Sequence, residues 1–527
     1  MERRGEGTLQ RLGSLVERAA GFLGSDRLKW PLAMALGVIC WALSLPPNGT
    51  AIMAVFAFVP PLAVLPELPL KKLLWQGWLG GAAWEAVTLW WLAPTIVRYG
   101  GIGPVVAVLL VAALSLLLGL YMVGFWWTAW FAVRRAGGGA LVLVPFIWVL
   151  WEWLRGWLFG GMPWWGPGYA LSMYPSLLQN ASWLGVLGLS LLALLLSAAV
   201  VLWLRERSSI EAVVMLPLVL ALFGGAYLWG RHQIERQGSN DQLFRVGYLQ
   251  PNIPQDEKWD PTFAGMIEGR FKSLSEPFKS YGLKLLVWPE SCTPLEWDAD
   301  PAYRSRVREL AALIKAPILV GSVFGTNEAY QNGAIVVNPD GTEGGRYAKT
   351  HLVPFGEYVP LRRFLFFARP LVESVGDFTP GKSLKPLEIN GAKVGVTICF
   401  EGIFPRLVRK EVNEGAQLLV NITNDAWYSG TPGPLEHFLI ERVRAVEFDR
   451  CLVRSANGGV SGLVDNEGRL EMETTPGEPA SFWGEARLRN TATPYAKIGD
   501  WWLFLPLIAV CWTLLFPSAA GRLRSKR

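Results

Sequence analysis

The sequence predicts an α-helical membrane bundle of eight transmembrane helices joined to an α/β domain. Three observations lead to this fold class. Of the 527 residues, 51% are hydrophobic and 27 are tryptophans, more than a soluble enzyme of this size usually carries. Long apolar segments crowd residues 30–230, whereas residues 240–495 have ordinary charged and polar content. In that second stretch, short apolar runs alternate with helical patterns, which is typical of α/β domains.

Eight apolar segments approach the length that crosses about 30 Å of hydrocarbon. They lie at about 30–46, 51–68, 74–94, 103–133, 139–158, 182–204, 211–230 and 500–517. No small-residue cleavage site follows the first segment, so we interpret it as a retained helix. The predicted organisation is a basic leader (1–29), a transmembrane domain of seven helices (30–230), an α/β domain (240–495), an eighth helix (500–517) and a basic tail (518–527).

The positions of the cations predict the orientation in the membrane. Lysines and arginines in short connections resist translocation and stay in the cytoplasm. Those after the second, fourth and sixth spans are Lys71, Lys72, Arg134, Arg135, Arg205 and Arg207. With eight spans, they lie on the same side as the basic leader and tail, whereas the opposite short loops offer only Arg98 and Arg155. We therefore expect cytoplasmic termini and an α/β domain outside the cytoplasm.

Two acidic residues lie within the predicted spans, and they need a different explanation from the net charge of the chain. Glu85 and Glu152 lie at or near membrane depth, where an acid facing lipid is costly. They could pair with Arg155 or face a cavity, and the sequence leaves both open. The net charge of +6 is mostly topological, and no basic patch interleaved with aromatics indicates a nucleic-acid partner.

Predicted strands alternate with predicted helices along the α/β domain. Apolar strand patterns occur at 243–250, 283–289, 317–323, 333–339, 393–399, 416–423, 451–457 and 461–466. Helical patterns occur near 262–279, 301–315, 403–414 and 434–449. Continuous apolar strands broken by helices indicate a sheet covered by helices on at least one face.

A possible reactive site is indicated by polar residues at the ends of these strands. The five cysteines show neither CxxC spacing nor clustering with histidine, which argues against a zinc site or a disulfide framework. Cys399 ends one strand, Glu290 follows another, and Lys349 lies in an irregular segment before the strand of Cys399. Loops at strand ends are where α/β sheets assemble sites from distant parts of the sequence.

Each of these three residues also has an ordinary structural interpretation. Glu290 could cap a turn or helix, Lys349 could be solvated, and Cys399 could be a small core residue. Together they meet a chemical requirement, because a thiol needs a base and an acyl transfer needs a positive group for the oxyanion. A helix beginning just after Cys399 would also favour the thiolate.

These motifs resemble the nitrilase superfamily. The matches are Glu290 in "VWPES", Lys349 in "YAKTHLVPFGEYVP" and Cys399 in "ICFE". The arrangement of seven spans before and one after residues 243 to about 488 resembles, more closely, the apolipoprotein N-acyltransferase family. The segments "NIPQDEKWD" and "NDAWYSGTPGPLEHF" extend this resemblance, which covers almost the whole chain. It implies an αββα sandwich in the catalytic domain.

The resemblance implies a Glu-Lys-Cys triad that transfers acyl groups. Glu290 accepts the thiol proton, Cys399 attacks the ester of a phospholipid acyl donor, and Lys349 stabilises the oxyanion. The amine of a diacylated apolipoprotein acceptor, a diacylglyceryl-cysteine, then takes the acyl chain in a ping-pong reaction. No cofactor and no metal are implied. The expected setting is the bacterial inner membrane, with the catalytic domain periplasmic, the protein in contact with membrane lipid, and a monomer.

Further positions have supporting roles by the same resemblance. Glu357 and Glu401 resemble carboxylates that support the triad, Glu357 by holding or tuning Lys349. Trp259, Phe400 and Trp427 are candidates to line the acyl pocket, with plain packing as the alternative. Relatives often carry Tyr where this chain has Phe400. We also expect Asn424 and Asp425 to organise the loop beside Cys399, and His351 and His437 to be structural.

Residues 361–381 predict a membrane-contacting arm. This segment is too apolar for an ordinary exposed loop, and Phe364, Leu365, Phe366 and Phe367 are flanked by arginines. Aromatic residues beside cations suit the interfacial region of a bilayer. The alternative is that the phenylalanines fill the domain core.

Two other functions remain open from the sequence. One is a membrane-tethered amidase of the nitrilase type that hydrolyses small amides with the same triad. The other is a transporter or receptor whose outer domain has lost activity. Acylation of Cys399 by phospholipid would separate the transferase from both.

Overall fold

A computed structural model describes residues 28–47, 49–236, 241–326, 329–359, 378–475 and 477–515. The predicted arm falls largely on residues 360–377, which lie outside the described residues, as do most of the basic leader and the basic tail. The described chain has a helical N-terminal part, a two-sheet α/β domain, and a final helix after that domain. The predicted combination of a helical bundle and an α/β sandwich is confirmed.

The N-terminal part consists of helices of very different length. They are α1 (Lys29–Ser44), α2 (Met53–Phe56), α3 (Val59–Val64), α4 (Leu70–Leu89), α5 (Leu92–Gly100), α6 (Pro104–Ala136), α7 (Val144–Arg155), α8 (Pro167–Ser172), α9 (Pro175–Leu178), α10 (Ala181–Arg205) and α11 (Ile210–Glu235). Proline marks the first turn of several of these helices, where its missing N–H costs no hydrogen bond.

Within the described residues, four helical stretches are long and apolar enough to cross a membrane. They are α6, α10, α11 and the C-terminal stretch Pro494–Leu515. The predicted second span is divided into short helices at Ala57 and Phe58, and Pro60 and Pro61 stand in the first turn of the second one, because they have no N–H to continue the preceding helix. The predicted fifth span includes only a twelve-residue α-helix, α7. The count of eight spans therefore stays a prediction.

An ion pair accounts for one of the acids in the helical part. Arg155 Nη1 lies 2.9 Å from Glu85 Oε1, and both side chains are buried. Glu152 instead accepts hydrogen bonds from Trp148 Nε1 at 2.6 Å and Ser190 Oγ at 3.1 Å. Arg155 is thus a buried partner and not the exposed loop cation that the orientation argument used.

The α/β domain contains two six-stranded sheets. The strands are β1 (Gln242–Gln250), β2 (Leu285–Val287), β3 (Ile318–Thr326), β4 (Ala329–Val337), β5 (Glu343–Ala348), β6 (Leu387–Ile389), β7 (Ala392–Ile398), β8 (Leu418–Thr423), β9 (Leu452–Ala456), β10 (Gly462–Val464), β11 (Leu470–Glu473) and β12 (Ala480–Leu488). One sheet has the order β12-β1-β2-β3-β4-β5 and the other β11-β10-β9-β8-β7-β6.

Helices cover the outer faces of both sheets. The covering helices are α13 (Ala264–Ser275), α14 (Pro301–Ile314), α15 (Pro405–Asn413) and α16 (Gly433–Phe448), and the short helix α12 (Gln255–Lys258) precedes them. Two further helices, α17 (Pro494–Ile498) and α18 (Phe504–Leu515), follow the last strand. One apolar core lies between the sheets and includes Val287 and Val396. Separate cores lie under α13 and α14 and under α15 and α16. This layering is the predicted αββα sandwich.

The two parts of the molecule share one hydrophobic cluster. The core of the helical bundle continues into the α/β domain through Phe404 and Leu407 near the start of α15 and through Ile440 and Val443 on α16. Burial of apolar surface stabilises such a contact by about 25 cal/mol per Å². The sandwich therefore packs against the bundle over the side that carries α15 and α16.

Candidate active site

The ends of strands from both sheets bring the predicted residues to one place. Glu290 comes three residues after β2, Lys349 directly after β5, and Cys399 directly after β7. In the first sheet, β2 and β3 are parallel, and two antiparallel pairings through β4 give β5 the same direction. Parallel strands end at the same edge, so loops distant in sequence meet there.

Glu290, Lys349 and Cys399 line one cavity of about 520 Å³. Lys349 and Glu290 are buried, whereas Cys399 keeps partial exposure. Lys349 Nζ lies 3.4 Å from Glu290 Oε1 and 2.9 Å from Glu357 Oε1. Glu357 also lines the cavity. The predicted contact between Glu357 and Lys349 is therefore present.

Hydrogen bonds fix both carboxylates around this ammonium. Asn332 Nδ2 donates to Glu290 Oε1 at 2.6 Å and to Glu357 Oε1 at 2.9 Å. The backbone N–H of Asn424 donates to Glu290 Oε2 at 2.9 Å, and that of Val353 donates to Glu357 Oε2 at 2.7 Å. Fully paired polar groups in a buried site have little freedom to rearrange.

The charges around Lys349 and Cys399 have opposite effects on their protonation. Burial alone would lower the pKa of Lys349, but the carboxylates of Glu357 and Glu290 raise it well above its usual value. Burial, followed by the charge of Glu290, raises the pKa of the Cys399 thiol, and Lys349 only partly opposes this. The resting cysteine is therefore a thiol, and its proton must move to a base before attack.

The expected helix-dipole effect at Cys399 is not the dominant one. Cys399 begins a short 3₁₀ helix, Cys399–Ile403, and α15 starts only at Pro405. Cys399 also has a φ of +52°, a left-handed conformation that is strained for a residue with a side chain. Burial therefore has a larger effect on the pKa of the Cys399 thiol than the few aligned amides of this turn.

Glu401 connects the nucleophile's turn to the segment after Lys349. Its carboxylate is fully buried and accepts hydrogen bonds from the backbone N–H of Ile398 at 2.9 Å, of Thr350 at 2.7 Å and of His351 at 3.0 Å. Tyr347 Oη donates to it at 2.9 Å. Burial raises the pKa of Glu401, and these donors oppose the rise. Glu401 thus ties Cys399 and Lys349 together without lining the cavity.

The three predicted aromatic residues divide into two groups. Trp259 and Trp427 line the cavity. Phe400 does not line it, which corrects the expectation for this residue. The turn at Cys399 directs Phe400 toward His351 and Phe404, with ring centroids 6.1 Å and 5.0 Å away. Phe400 therefore packs between the turn and the start of α15.

The loop after β8 is organised by buried charges. Asp425 lies 2.8 Å from Arg454 and 3.0 Å from His437 Nδ1. Burial would lower the pKa of His437, but Glu441 and Asp425 raise it to about 9. The structural interpretation of Asp425 and His437 fits these contacts. Asn424 does more than organise the loop, because its backbone N–H binds Glu290.

Several groups at the cavity were not singled out from the sequence. Asn332 on β4 bridges the two acids, and Lys258 at the end of α12 donates from Nζ to the Glu290 carbonyl oxygen at 2.9 Å. Helices α5 and α6 form an apolar wall through Leu92, Thr95, Ile96, Tyr99, Gly100, Leu110, Val111 and Leu114. Lys258 lies in "NIPQDEKWD", a segment that contributed to the resemblance without pointing to this residue, and the wall had no local sequence signal.

Helix α5 is attached directly to the loop after β8. Thr95 Oγ1 donates to the carbonyl oxygen of Trp427 at 3.2 Å, and Tyr99 Oη donates to that of Ala426 at 3.3 Å. The rings of Tyr99 and Trp427 meet edge to face at 5.1 Å. The apolar wall and the polar end of the cavity are therefore one packed unit.

Comparison with known proteins covers both parts of the chain. Residues 37–199 match the apolipoprotein N-acyltransferase N-terminal domain, and residues 245–479 match the carbon-nitrogen hydrolase family. The crystal structure of a carbon-nitrogen hydrolase from Helicobacter pylori G27 covers 51% of this chain and 95% of that chain, with 17% identity and a TM-score of 0.36.

Relatives of full length are similar over almost the whole sequence. The apolipoprotein N-acyltransferase of Geobacter metallireducens is 35% identical over 92% of this chain and 94% of its own length. That of Pseudomonas putida is 32% identical over 94% of this chain and 98% of its own length. The chain belongs to the apolipoprotein N-acyltransferase family.

Proposed function

We propose that the protein transfers an acyl chain from a membrane phospholipid to the N-terminal diacylglyceryl-cysteine amine of apolipoproteins, the last step of lipoprotein maturation. The observation that carries this proposal is the composition of one cavity. Its polar end holds Glu290, Lys349 and Cys399, and its apolar wall comes from α5 and α6. Family membership supports N-acylation of lipoproteins, and the cavity supports an acyl chain as the group transferred.

In the first half-reaction, the Cys399 thiol gives its proton to Glu290. The sulfur attacks the ester carbonyl carbon of the phospholipid, and the Lys349 ammonium stabilises the negative charge on the carbonyl oxygen. The tetrahedral species then expels the glycerol oxygen, which takes the proton from Glu290. The products are a thioester on Cys399 and a lysophospholipid.

In the second half-reaction, the neutral amine of the diacylated apolipoprotein attacks the thioester carbonyl. Glu290 takes a proton from the attacking nitrogen, and Lys349 again stabilises the oxyanion. The carbon–sulfur bond breaks, the amide forms, and the proton returns to the sulfur. Neither half-reaction changes an oxidation state, so the route needs no cofactor.

The apolar wall also explains transfer in preference to hydrolysis. A thioester reacts with water as well as with an amine, so a dry site favours the bound acceptor. Trp259 and Trp427 lie beside the polar end of the cavity. We assign them the role of excluding water from the thioester.

The proposed location follows from the substrates. Both are anchored in lipid, so a site between membrane helices and the α/β domain limits the search to nearly two dimensions. The cation distribution supports a periplasmic catalytic domain at the bacterial inner membrane. One chain supplies all the groups in the mechanism, which supports a monomer as the working unit.

Mass spectrometry of the Cys399 peptide tests the mechanism. We expect purified protein in phospholipid nanodiscs to gain one acyl mass on Cys399. The exposed Cys511 offers a matched control, because Cys511→Ser should keep the label. Glu290→Gln and Lys349→Met should label at least about 100-fold more slowly. Transfer of the label to a synthetic diacylglyceryl-cysteine peptide would complete the cycle.

The same experiment distinguishes the other functions. An unlabelled Cys399 together with turnover of soluble amides would support a membrane-tethered amidase. A Cys399→Ala variant that keeps full lipoprotein maturation in cells would support a non-enzymatic receptor or transporter. Either result would refute the transferase.

A further inference from the structure

A second buried lysine lies beside the site and has no part in the mechanism above. Lys258 is the last residue of α12 and is 1% exposed. Its Nζ donates to the backbone carbonyl oxygen of Glu290 at 2.9 Å. Within the described residues, no carboxylate forms an ion pair with Lys258. Burying an ammonium without an ion pair is costly, so its position requires a reason.

The carbonyl that Lys258 binds belongs to a strained turn. Ser291, the next residue, has a φ of +46°, and a side-chain-bearing residue in this region persists only where its surroundings hold it. The turn is packed closely from the other side, because a Cβ on Gly321 would lie 2.8 Å from the Glu290 Cα. The ammonium therefore fixes the peptide unit from which the Glu290 carboxylate projects.

Lys258 also reaches the group that binds the Glu290 carboxylate. The side-chain amide of Asn424 lies 3.0 Å from Lys258 Nζ and 3.2 Å from Trp427 Nε1. Both of these atoms are hydrogen-bond donors, and the swapped orientation of the amide, with its oxygen toward them and not toward Asn457 Nδ2, lets it accept from both. The backbone N–H of the same Asn424 donates to Glu290 Oε2. Lys258 thus connects the two ends of the Glu290–Asn424 hydrogen bond.

The charge of Lys258 complements the rest of the site. Glu290, Glu357 and Lys349 together carry one net negative charge, and the Lys258 ammonium balances it. The ionisable groups whose charges act on Lys258 are Glu290, Cys292 and Cys399. Burial lowers the pKa of Lys258 to about 8, although these three groups oppose the shift. The balancing charge is therefore present at neutral pH and disappears as the pH rises through 8.

We propose that Lys258 is a positioning residue that holds the Glu290 turn and the Asn424 amide together, so that the Glu290 carboxylate stays aimed at the Cys399 thiol. The inference rests on the proposed role of Glu290 as the base. It makes no use of the nature of the acyl donor. Lys258 acts through Glu290 and does not touch the substrate.

Alkylation of Cys399 by iodoacetamide tests this without any lipid substrate. Lys258→Met keeps an unbranched side chain that is one atom shorter and removes its charge and donors. We expect it to slow Cys399 alkylation by about 10- to 100-fold at pH 7, the scale of a small misplacement of a base. The wild-type rate should change near pH 8, and this step should be absent in Lys258→Met. Lys272→Met, on the exposed surface of α13, should behave as wild type.

The conservative variant distinguishes positioning by the charged donor from a purely structural role of Lys258. Lys258→Arg keeps a charged donor and should restore part of the alkylation rate, with no step near pH 8, because a guanidinium keeps its proton throughout this range. If Lys258→Met fails to fold, Lys258→Gln, which retains a donor, replaces it in the same comparison. Unchanged alkylation in a folded neutral variant, or an unchanged pH step near 8, would overturn the proposal.

Acylation by phospholipid provides the second measurement. In Lys258→Met, we expect the thioester to form about 10- to 100-fold more slowly, with the KM for phospholipid within about twofold of wild type. If wild-type protein forms no thioester, the proposed function fails, and the alkylation result still decides the role of Lys258. A raised KM with an unchanged maximal rate would count against positioning.

Discussion

Lys349 is closer to Glu357 than to Glu290. Its Nζ lies 2.9 Å from Oε1 of Glu357 and 3.4 Å from Oε1 of Glu290. The tighter pairing is with the acid that has no proton-transfer role in the proposed mechanism. In the proposed mechanism, Glu357 therefore holds the ammonium in place, and Glu290 stays available to accept the thiol proton.

Changing Glu357 to Gln should weaken catalysis through Lys349. The amide keeps the size and one oxygen of the side chain but loses the charge that raises the pKa of Lys349. Lys349 then loses its proton at a lower pH than in wild type. We expect thioester formation to fall by about 10-fold or more at pH 7 and further as the pH rises. A rate ratio that is constant from pH 6 to 10 would contradict this role. Glu414→Gln, an exposed acid, is the control.

Changing Asn332 to Ala should loosen both acids at once. Its Nδ2 is the only side-chain amide among the described residues that donates to both Glu290 and Glu357. Loss of a hydrogen bond to a charged group costs about 1.5–3 kcal/mol. We expect thioester formation to slow by about 10- to 100-fold with a small loss of thermal stability. Stopped-flow measurement of acylation together with Tm checks both. Asn338→Ala, at an exposed turn on the same sheet, should leave the rate unchanged.

Glu436 should make stability depend on pH. Its Oε2 accepts hydrogen bonds from Trp164 Nε1 at 2.7 Å and Trp91 Nε1 at 3.2 Å, and burial raises its pKa to about 7. The folded state then holds a proton that the unfolded state loses above about pH 4.5. Stability should fall by on the order of 3 kcal/mol as the pH rises from about 4.5 to 7.

Glu436→Gln tests this linkage. The amide keeps an acceptor for the two indoles and cannot ionise, so its Tm should exceed that of wild type at pH 8 and approach it at pH 5. Thermal unfolding in detergent at pH 5, 6.5 and 8 measures the difference. An equal difference in Tm between Glu436→Gln and wild type at all three pH values would show that Glu436 does not titrate in this range.

A larger side chain on α6 should change the preferred acyl length. Leu114 lines the cavity, so Leu114→Trp fills part of the space that we assign to the chain. We expect the ratio of acylation rates for long-chain over short-chain phospholipid to fall by about 10-fold or more, because overpacking costs about 1–3 kcal/mol. Leu117→Trp is the matched control, since Leu117 is exposed on the same helix. An unchanged ratio would place the acyl chain elsewhere.

The sequence indicated those site residues that carry their own local signal. Glu290 and Cys399 stand at the ends of predicted strands, and Lys349 and Glu357 stand in one recognisable motif before the strand of Cys399. The strand β5, which Lys349 follows, was not predicted. Asn332 gave no such signal, because it stands just before the predicted strand at 333–339 and belongs to no recognisable motif. Its function arises only when β4 lies between the strands of the two acids. Lys258 was equally inconspicuous, since burial of its ammonium is a property of the tertiary fold.

The helical part was harder to predict for a related reason. Hydropathy indicates that a segment is apolar but not where its backbone breaks. Residues 74–94 read as one span, whereas the chain ends α4 at Leu89 and begins α5 at Leu92. Phe400 was misassigned because its direction depends on the left-handed turn at Cys399, which sequence periodicity does not reveal.

The attachment of Tyr99 and Thr95 to the loop after β8 has a consequence for the lipid environment. A long apolar helix adapts to a thinner or thicker bilayer by changing its tilt. Because α6 follows α5 directly and both line the cavity that contains Cys399, we expect such a tilt to change the shape of that cavity. We therefore expect bilayer thickness to be a further physical variable of the proposed reaction, beside pH and temperature.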